Sequence, residues 1–67
     1  MERHICSRLD ALGFLVELRE DTGLYDIYCF ISRRPALGIL VAKDLDEAQV
    51  HKFLEEREQT QIGRANV

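Results

Sequence analysis

The spacing of the apolar residues changes period twice along this chain, and those two changes limit the fold more than anything else in the sequence. Over residues 2–12, Ile5, Leu9 and Leu12 recur at i, i+4 and i+7 with Cys6 beside them. Glu2, Arg3, Ser7, Arg8 and Asp10 take the other side, which is the pattern of an amphipathic helix. Gly13 follows at the position where helices turn into positive φ, a conformation glycine adopts without a Cβ penalty. From Phe14 the period is two: Phe14, Val16 and Leu18 alternate with Leu15, Glu17 and Arg19. A period near 3.6 returns after Asp46, where Val50, Phe53, Leu54 and Arg57 mark an inward stripe. Helix, strands, helix is the order these periods predict.

The strand region divides at its turn residues. Asp21-Thr22-Gly23-Leu24 reads as a turn with glycine supplying positive φ. The second strand, residues 25–32, puts Tyr25, Ile27, Cys29 and Ile31 on one face and Asp26, Tyr28, Phe30 and Ser32 on the other. Pairing 18 with 27, 16 with 29 and 14 with 31 makes one face wholly apolar and sets Arg19 opposite Asp26. Arg33-Arg34-Pro35-Ala36 is the next connection, with Pro35 holding Arg34 in extended geometry. A third strand over 37–43 adds Leu37, Ile39 and Val41 to the apolar face, and Gly38, Leu40 and Ala42 to the second. Asp46 as N-cap with Gln49 at N3 forms a capping box, and Leu45 can staple onto Val50. Residues 58–67 are polar and lack period, so fraying is expected near Thr60.

The expected architecture is α+β, in the order α-β-β-β-α. A three-stranded antiparallel meander carries both helices packed on one face. Residues 1–60 form the single domain and 61–67 a polar, disordered tail. The expected core collects Phe14, Val16, Leu18, Ile27, Cys29, Ile31, Leu37, Ile39 and Val41 under Ile5, Leu9, Leu12, Val50, Phe53 and Leu54. Composition agrees: 67 residues suit one domain, and 46% hydrophobic residues are too many for a disordered chain. A chain of ~60 residues buries only about 60% of its unfolded surface, so the core is marginal.

Little in the sequence points to chemistry. His4, Cys6, Cys29 and His51 have no CxxC or HxxxH spacing, and His4 and Cys6 point to different sides of a helix. The two cysteines are expected to act as small buried hydrophobes. Neither cysteine has a base and an orienting group placed for nucleophilic catalysis, and the isolated glycines make no phosphate-cradling loop. No catalytic residue, metal, cofactor or small-molecule substrate is expected. No run approaches the ~18 apolar residues of a membrane span, and the N-terminus lacks a secretory pattern. A cytoplasmic chain with reduced thiols is the expectation.

The informative surface is the second sheet face. A solvated face should read polar, yet this one carries Leu15, Tyr28, Phe30, Leu40 and Ala42, with Glu17, Arg19 and Asp26 toward one end. Clustered apolar residues with aromatic anchors mark interfaces. The expectation is a non-enzymatic protein-interaction module: an adaptor, accessory subunit or small inhibitor that binds a protein partner or itself as a homodimer. Its binding residues are Leu15, Tyr28, Phe30 and Leu40, with the basic hairpin tip Arg33 and Arg34 and the acidic second helix as further elements.

The alternative is a nucleic-acid-associated regulator using Arg33 and Arg34 in a dimer. The element order resembles that of double-stranded-RNA-binding domains, which use a lysine-rich start of the second helix. Here that stretch is Lys43-Asp44-Leu45-Asp46-Glu47, and residues 44–58 hold six acids and two bases, a local balance of −4. Such a surface repels RNA, as does the whole chain's net charge of −3.

Overall fold

The computed structural model describes the backbone of residues 3–65 and the side chains up to Thr60. Its elements are α1 (Arg3–Ala11), β1 (Phe14–Arg19), β2 (Leu24–Arg33), β3 (Ala36–Leu45) and α2 (Glu47–Ala65). The strands form one antiparallel sheet in the order β1-β2-β3, so the chain has the expected α-β-β-β-α arrangement of the α+β class. Ile5 and Leu9 of α1 are fully buried against Ile27 of the central strand, together with Val50 and Leu54 of α2. Both helices therefore cover the same face of the sheet. Leu12, Phe14, Val16, Tyr25, Ala42, Leu45 and Phe53 pack around that centre, with the Phe14 and Phe53 rings edge-to-face at 5.2 Å.

The start of α2 is built as its sequence predicts. Asp46 Oδ1 accepts the Gln49 N–H at 2.8 Å, and Gln49 Oε1 accepts the Asp46 N–H at 2.9 Å. This reciprocal pair satisfies two donors that the helix itself leaves open. Leu45 packs against the cluster containing Val50, which completes the staple. The helical backbone then continues to Ala65, past the end expected near Thr60. Two contacts support its later turns. Arg8 Nε donates to Glu58 Oε2 at 2.9 Å and Arg8 Nη2 to Glu58 Oε1, while the Thr60 hydroxyl donates to the Glu56 carbonyl at 2.8 Å. Of the expected tail, the side chains of residues 61–65 and all of 66–67 lie outside the described residues.

Strand pairing corrects the expected register. β1 pairs with β2 as Phe14 to Cys29, Val16 to Ile27, Leu18 to Tyr25 and Arg19 to Leu24, two residues away from the expected match. The loop is the reason. Gly23, at φ 72°, donates its N–H to the Arg19 carbonyl at 2.7 Å, and the Leu24 N–H donates to Thr22 Oγ1 at 3.2 Å. The chain thus turns fully by Gly23 and Leu24 is already in the ladder. Arg19 faces Leu24 rather than Asp26, and Leu15 faces Tyr28 rather than Phe30. An even shift keeps each residue on its own face.

Between β2 and β3 the ladder is irregular, and here faces do change. Ile27 pairs with Ala42 while Tyr28 pairs with Leu40, so Val41 is an extra residue on β3. A bulge of this type reverses the alternation beyond it. Ala42, expected on the second face, therefore packs on the core beside Ile27. Ile31 is the extra residue on β2, since Phe30 pairs with Gly38 and Ser32 with Leu37. A third irregularity, at Asp44 with φ 57°, brings Leu45 opposite Tyr25.

The expected core shrinks accordingly: Leu18, Ile31, Leu37, Ile39 and Val41 are exposed, and Tyr25, Ala42 and Leu45 take part instead. Cys6 is exposed and Cys29 half-buried, both as free thiols, which corrects their expected burial. Arg57 is also exposed, but its guanidinium lies over Phe53 at 4.9 Å and Phe14 at 5.9 Å. The β2–β3 connection is only Arg34-Pro35, joined by a cis peptide bond, because Arg33 already pairs with Ala36.

Candidate functional site

The face of the sheet opposite the helices carries the residues singled out from sequence. Leu15, Tyr28 and Leu40 are direct cross-strand neighbours, Leu15 with Tyr28 and Tyr28 with Leu40, so they make one apolar row across all three strands. Phe30 stands next along β2, opposite Gly38. A Cβ at Gly38 would lie 3.2 Å from the Cys29 carbonyl oxygen and 3.5 Å from Tyr28 Cβ. With hydrogen there instead, the sheet keeps a hollow beside the two aromatic rings. Leu15, Glu17, Tyr28, Phe30, Ala36, Leu37 and Gly38 line this open cleft of about 320 Å³. Tyr28 and Phe30 are half-buried, whereas Leu15 and Leu40 are exposed.

Opposite charges stand at the two ends of the row. At one end Arg33 places its guanidinium 4.4 Å from the Phe30 ring centroid. The same group donates through Nη1 to Asp10 Oδ1 at 3.0 Å and through Nη2 to the Asp10 carbonyl at 2.8 Å. The Asp10 carbonyl also accepts the Gly13 N–H at 2.9 Å, so Arg33 adds a second donor at the helix C-terminus, where a cation is favourable. Arg33 thus ties the hairpin to α1 and stiffens Phe30, and only Arg34 projects from the tip as the sequence suggested for both. The joint basic spot assumed for the nucleic-acid reading is therefore divided.

At the other end Arg19 sits among three carboxylates: Asp21 at 3.1 Å, Asp44 at 3.5 Å and Asp26 at 4.0 Å. These raise its pKa, Asp21 most strongly. Asp26 is buried opposite Glu17, and its Oδ1 accepts the Asp44 N–H at 3.2 Å, which holds the positive-φ bend of β3. Counting Glu17, this end is net acidic.

The acidity of the second helix is largely engaged in holding the fold. Asp46 caps it, Asp44 pairs with Arg19, and the hydrogen bond from Arg8 holds the Glu58 carboxyl below its usual range. Glu47 stands beside the Tyr25 phenol, whose pKa is pushed up first by burial and then by that carboxylate and by Cys6. Glu55 and Glu56 are exposed. Among the described residues no group of three or more His, Cys, Asp or Glu side chains is placed to hold a metal ion. No helix among them is long and apolar enough to cross a membrane.

Sequence reasoning missed the outer edge of β3. Every residue from Ala36 to Val41 is exposed, on both faces of the strand. The signal was present in Ala36-Leu37-Gly38-Ile39-Leu40-Val41-Ala42, an uncharged run on the last strand of a meander, which has a neighbour on one side only. Comparison with known protein families, curated proteins and solved structures finds no significant match.

Proposed function

We propose that this chain is a non-enzymatic protein-interaction module whose uncovered sheet face receives an apolar anchor from a protein partner. The observation that carries this reading is the continuous row Leu15–Tyr28–Leu40 with Phe30 beside the Gly38 hollow, on a face without a helix. Aromatic side chains in a partly desolvated hollow are the usual anchors of interfaces. Covering a few hundred Å² of apolar surface at ~25 cal/mol/Å² stabilises a complex by several kcal/mol gross, before ordering costs. Charge sets the orientation: a partner segment fits with a basic group toward Glu17 and an acidic group toward Arg34. Such a module acts by occupying a surface, as an adaptor, an accessory subunit or an inhibitor of a larger protein.

The test is a photo-crosslinking residue in place of Tyr28, compared in the source cell with the same residue at Glu20, an exposed loop position. The expected result is a discrete protein adduct from position 28 only. Excess unlabelled wild-type chain should compete it away, and the Phe30→Ala chain should not. Equal background from positions 28 and 20 overturns the reading.

A further inference from the structure

The two edges of the sheet are built differently. β1 has six residues, includes Glu17 and Arg19, and packs along α1. β3 has ten residues, and from Ala36 to Ala42 it contains neither a charge nor a proline. Leu37, Ile39, Leu40 and Val41 are 52%, 56%, 45% and 44% exposed, so the strand is uncovered on both faces as well as along its rim. Water can satisfy the free backbone groups of such an edge but not four large apolar side chains. Edge strands usually carry lysine, proline or inward charges that block pairing. This one lacks them over seven consecutive residues, and the bulge at Val41 leaves the stretch Ala36–Leu40 regular.

We propose that β3 pairs antiparallel with β3 of a second copy, about a two-fold axis at Ile39, and joins two three-stranded sheets into one of six strands. The uncharged run sets the register, because Ile39 is its midpoint. With the axis at Ile39, Gly38 lies beside Leu40 and Leu37 beside Val41, and the pairing stays within Ala36–Ala42, short of the bend at Asp44. Moving the axis to Gly38 carries the pairing into Pro35 of the turn, which has no N–H, and moving it to Leu40 sets Lys43 against Leu37. The contact is isologous. The same register sets Leu40 of one copy over Gly38 of the other, where no side chain obstructs it, so the two uncovered faces become continuous.

Area places this dimer at the weak end. The exposed parts of the four apolar side chains amount to roughly 350 Å² per copy, which with the paired backbone approaches the ~1,200 Å² of a small specific interface. The association is therefore reversible and visible in a concentration series. It can be tested without the partner proposed for the uncovered face, because it uses the rim of β3 and shares only Leu40 with the row that carries that proposal.

Sedimentation velocity over a range of protein concentrations tests it, with far-UV circular dichroism as the check on folding. Wild type is expected to pass from monomer to dimer, Ile39→Lys to stay monomeric with a native spectrum, and Tyr28→Ala to dimerise as wild type does. A second arm uses Ile39→Cys in a chain with Cys6→Ser and Cys29→Ser, because Cys29 is the cross-strand partner of position 39. Residues on the axis face each other with Cα atoms about 4.5–5.5 Å apart, inside the ~4.4–6.8 Å span of a disulfide. Mild oxidation should link position 39 to itself many-fold faster than a cysteine placed at Leu18, which is equally exposed on β1. A wild-type chain that is monomeric at every concentration overturns the proposal. So does a dimer that survives Ile39→Lys but is lost in Tyr28→Ala, or equal oxidation rates at positions 39 and 18. If Ile39→Lys fails to fold, the oxidation rates decide. Loss of the position-28 adduct with an intact dimer rejects the protein partner and leaves the strand pairing standing.

Discussion

Ile27 and Ile31 offer a matched pair of perturbations, being the same residue type on the same strand with the same parity. Simple alternation buries both. The structure separates them, with Ile27 0% exposed under the helices and Ile31 66% exposed at the bulged end of β2, which the helices do not reach. Ile27→Ala deletes three carbons at ~0.8 kcal/mol each and leaves a cavity that the fully enclosed site cannot collapse, for a total of about 3–4 kcal/mol. That is a large share of the ~3–10 kcal/mol expected for a chain of this length. Ile31→Ala removes the same carbons from a site two-thirds in water, so it costs about 1 kcal/mol, including the lower strand propensity of alanine. Urea unfolding followed by far-UV circular dichroism measures both, at a concentration where wild type is monomeric. With a urea slope near 1 kcal/mol/M for so small a protein, the two midpoints should differ by roughly 2–3 M. If Ile27→Ala leaves too little folded protein to fit, Ile27→Val is expected to cost ~1 kcal/mol and Ile31→Val only a few tenths. Equal costs at the two positions refute this map of the core.

Two further predictions concern the helices. Asp46→Ala should destabilise by about 1 kcal/mol and Gln49→Ala by less. The double mutant should cost less than the two single costs added together, because each residue caps the other's N–H; full additivity in urea unfolding would count against the box. Glu58 contributes to the acid side of the pH dependence. Arg8 holds its carboxyl below the usual range, so its contribution is fully present above the unfolded glutamate value of ~4.3 and is lost as pH falls through the lower folded value. Thermal melts of Arg8→Gln should therefore decline less steeply than wild type as pH drops below that point. An identical acid limb in the two proteins would show that the pair contributes nothing.

Legibility in the sequence followed the range of the forces involved. The α2 start was readable because its cap is local: Asp46, Gln49, Leu45 and Val50 lie within six positions and settle the helix N-terminus among themselves. Its C-terminal extent was not, because Arg8 steadies Glu58 from the other end of the chain. The apolar row was readable because it needs parity alone, and the two-residue error in register left Leu15, Tyr28, Phe30 and Leu40 on one face. The bulges at Ile31 and Val41 are odd steps, and nothing in a period-two pattern announces them. One partial signal was available at Asp44, since aspartate is among the few residues that tolerate the left-handed region, and Asp26 lay in reach to accept its N–H. Arg33 was misjudged for a similar reason: a basic residue beside a turn looks solvated until Asp10 is brought alongside it.

The uncovered surface has a geometric origin. A nine-residue helix is about 14 Å long, and a ten-residue strand reaches ~33 Å. α2 starts beside Leu45 and, by Phe53 and Arg57, has crossed to Phe14, so Ile31, Leu37 and Ile39 lie beyond the helical layer. The proposed edge pairing would cover Leu37, Ile39 and Val41 without any further helix. It also places Leu40 at the seam between two copies, next to the second copy's Gly38 and Phe30. In that dimer a partner anchored on Tyr28 and Leu40 would touch both copies and bind the dimer more tightly than the monomer. By reciprocity, the dimer must tighten by the same factor when the partner is bound. Sedimentation of the chain with its captured partner should therefore show dimer at concentrations where the chain alone is monomeric. A partner that leaves the monomer–dimer balance unmoved would place its contacts away from the seam.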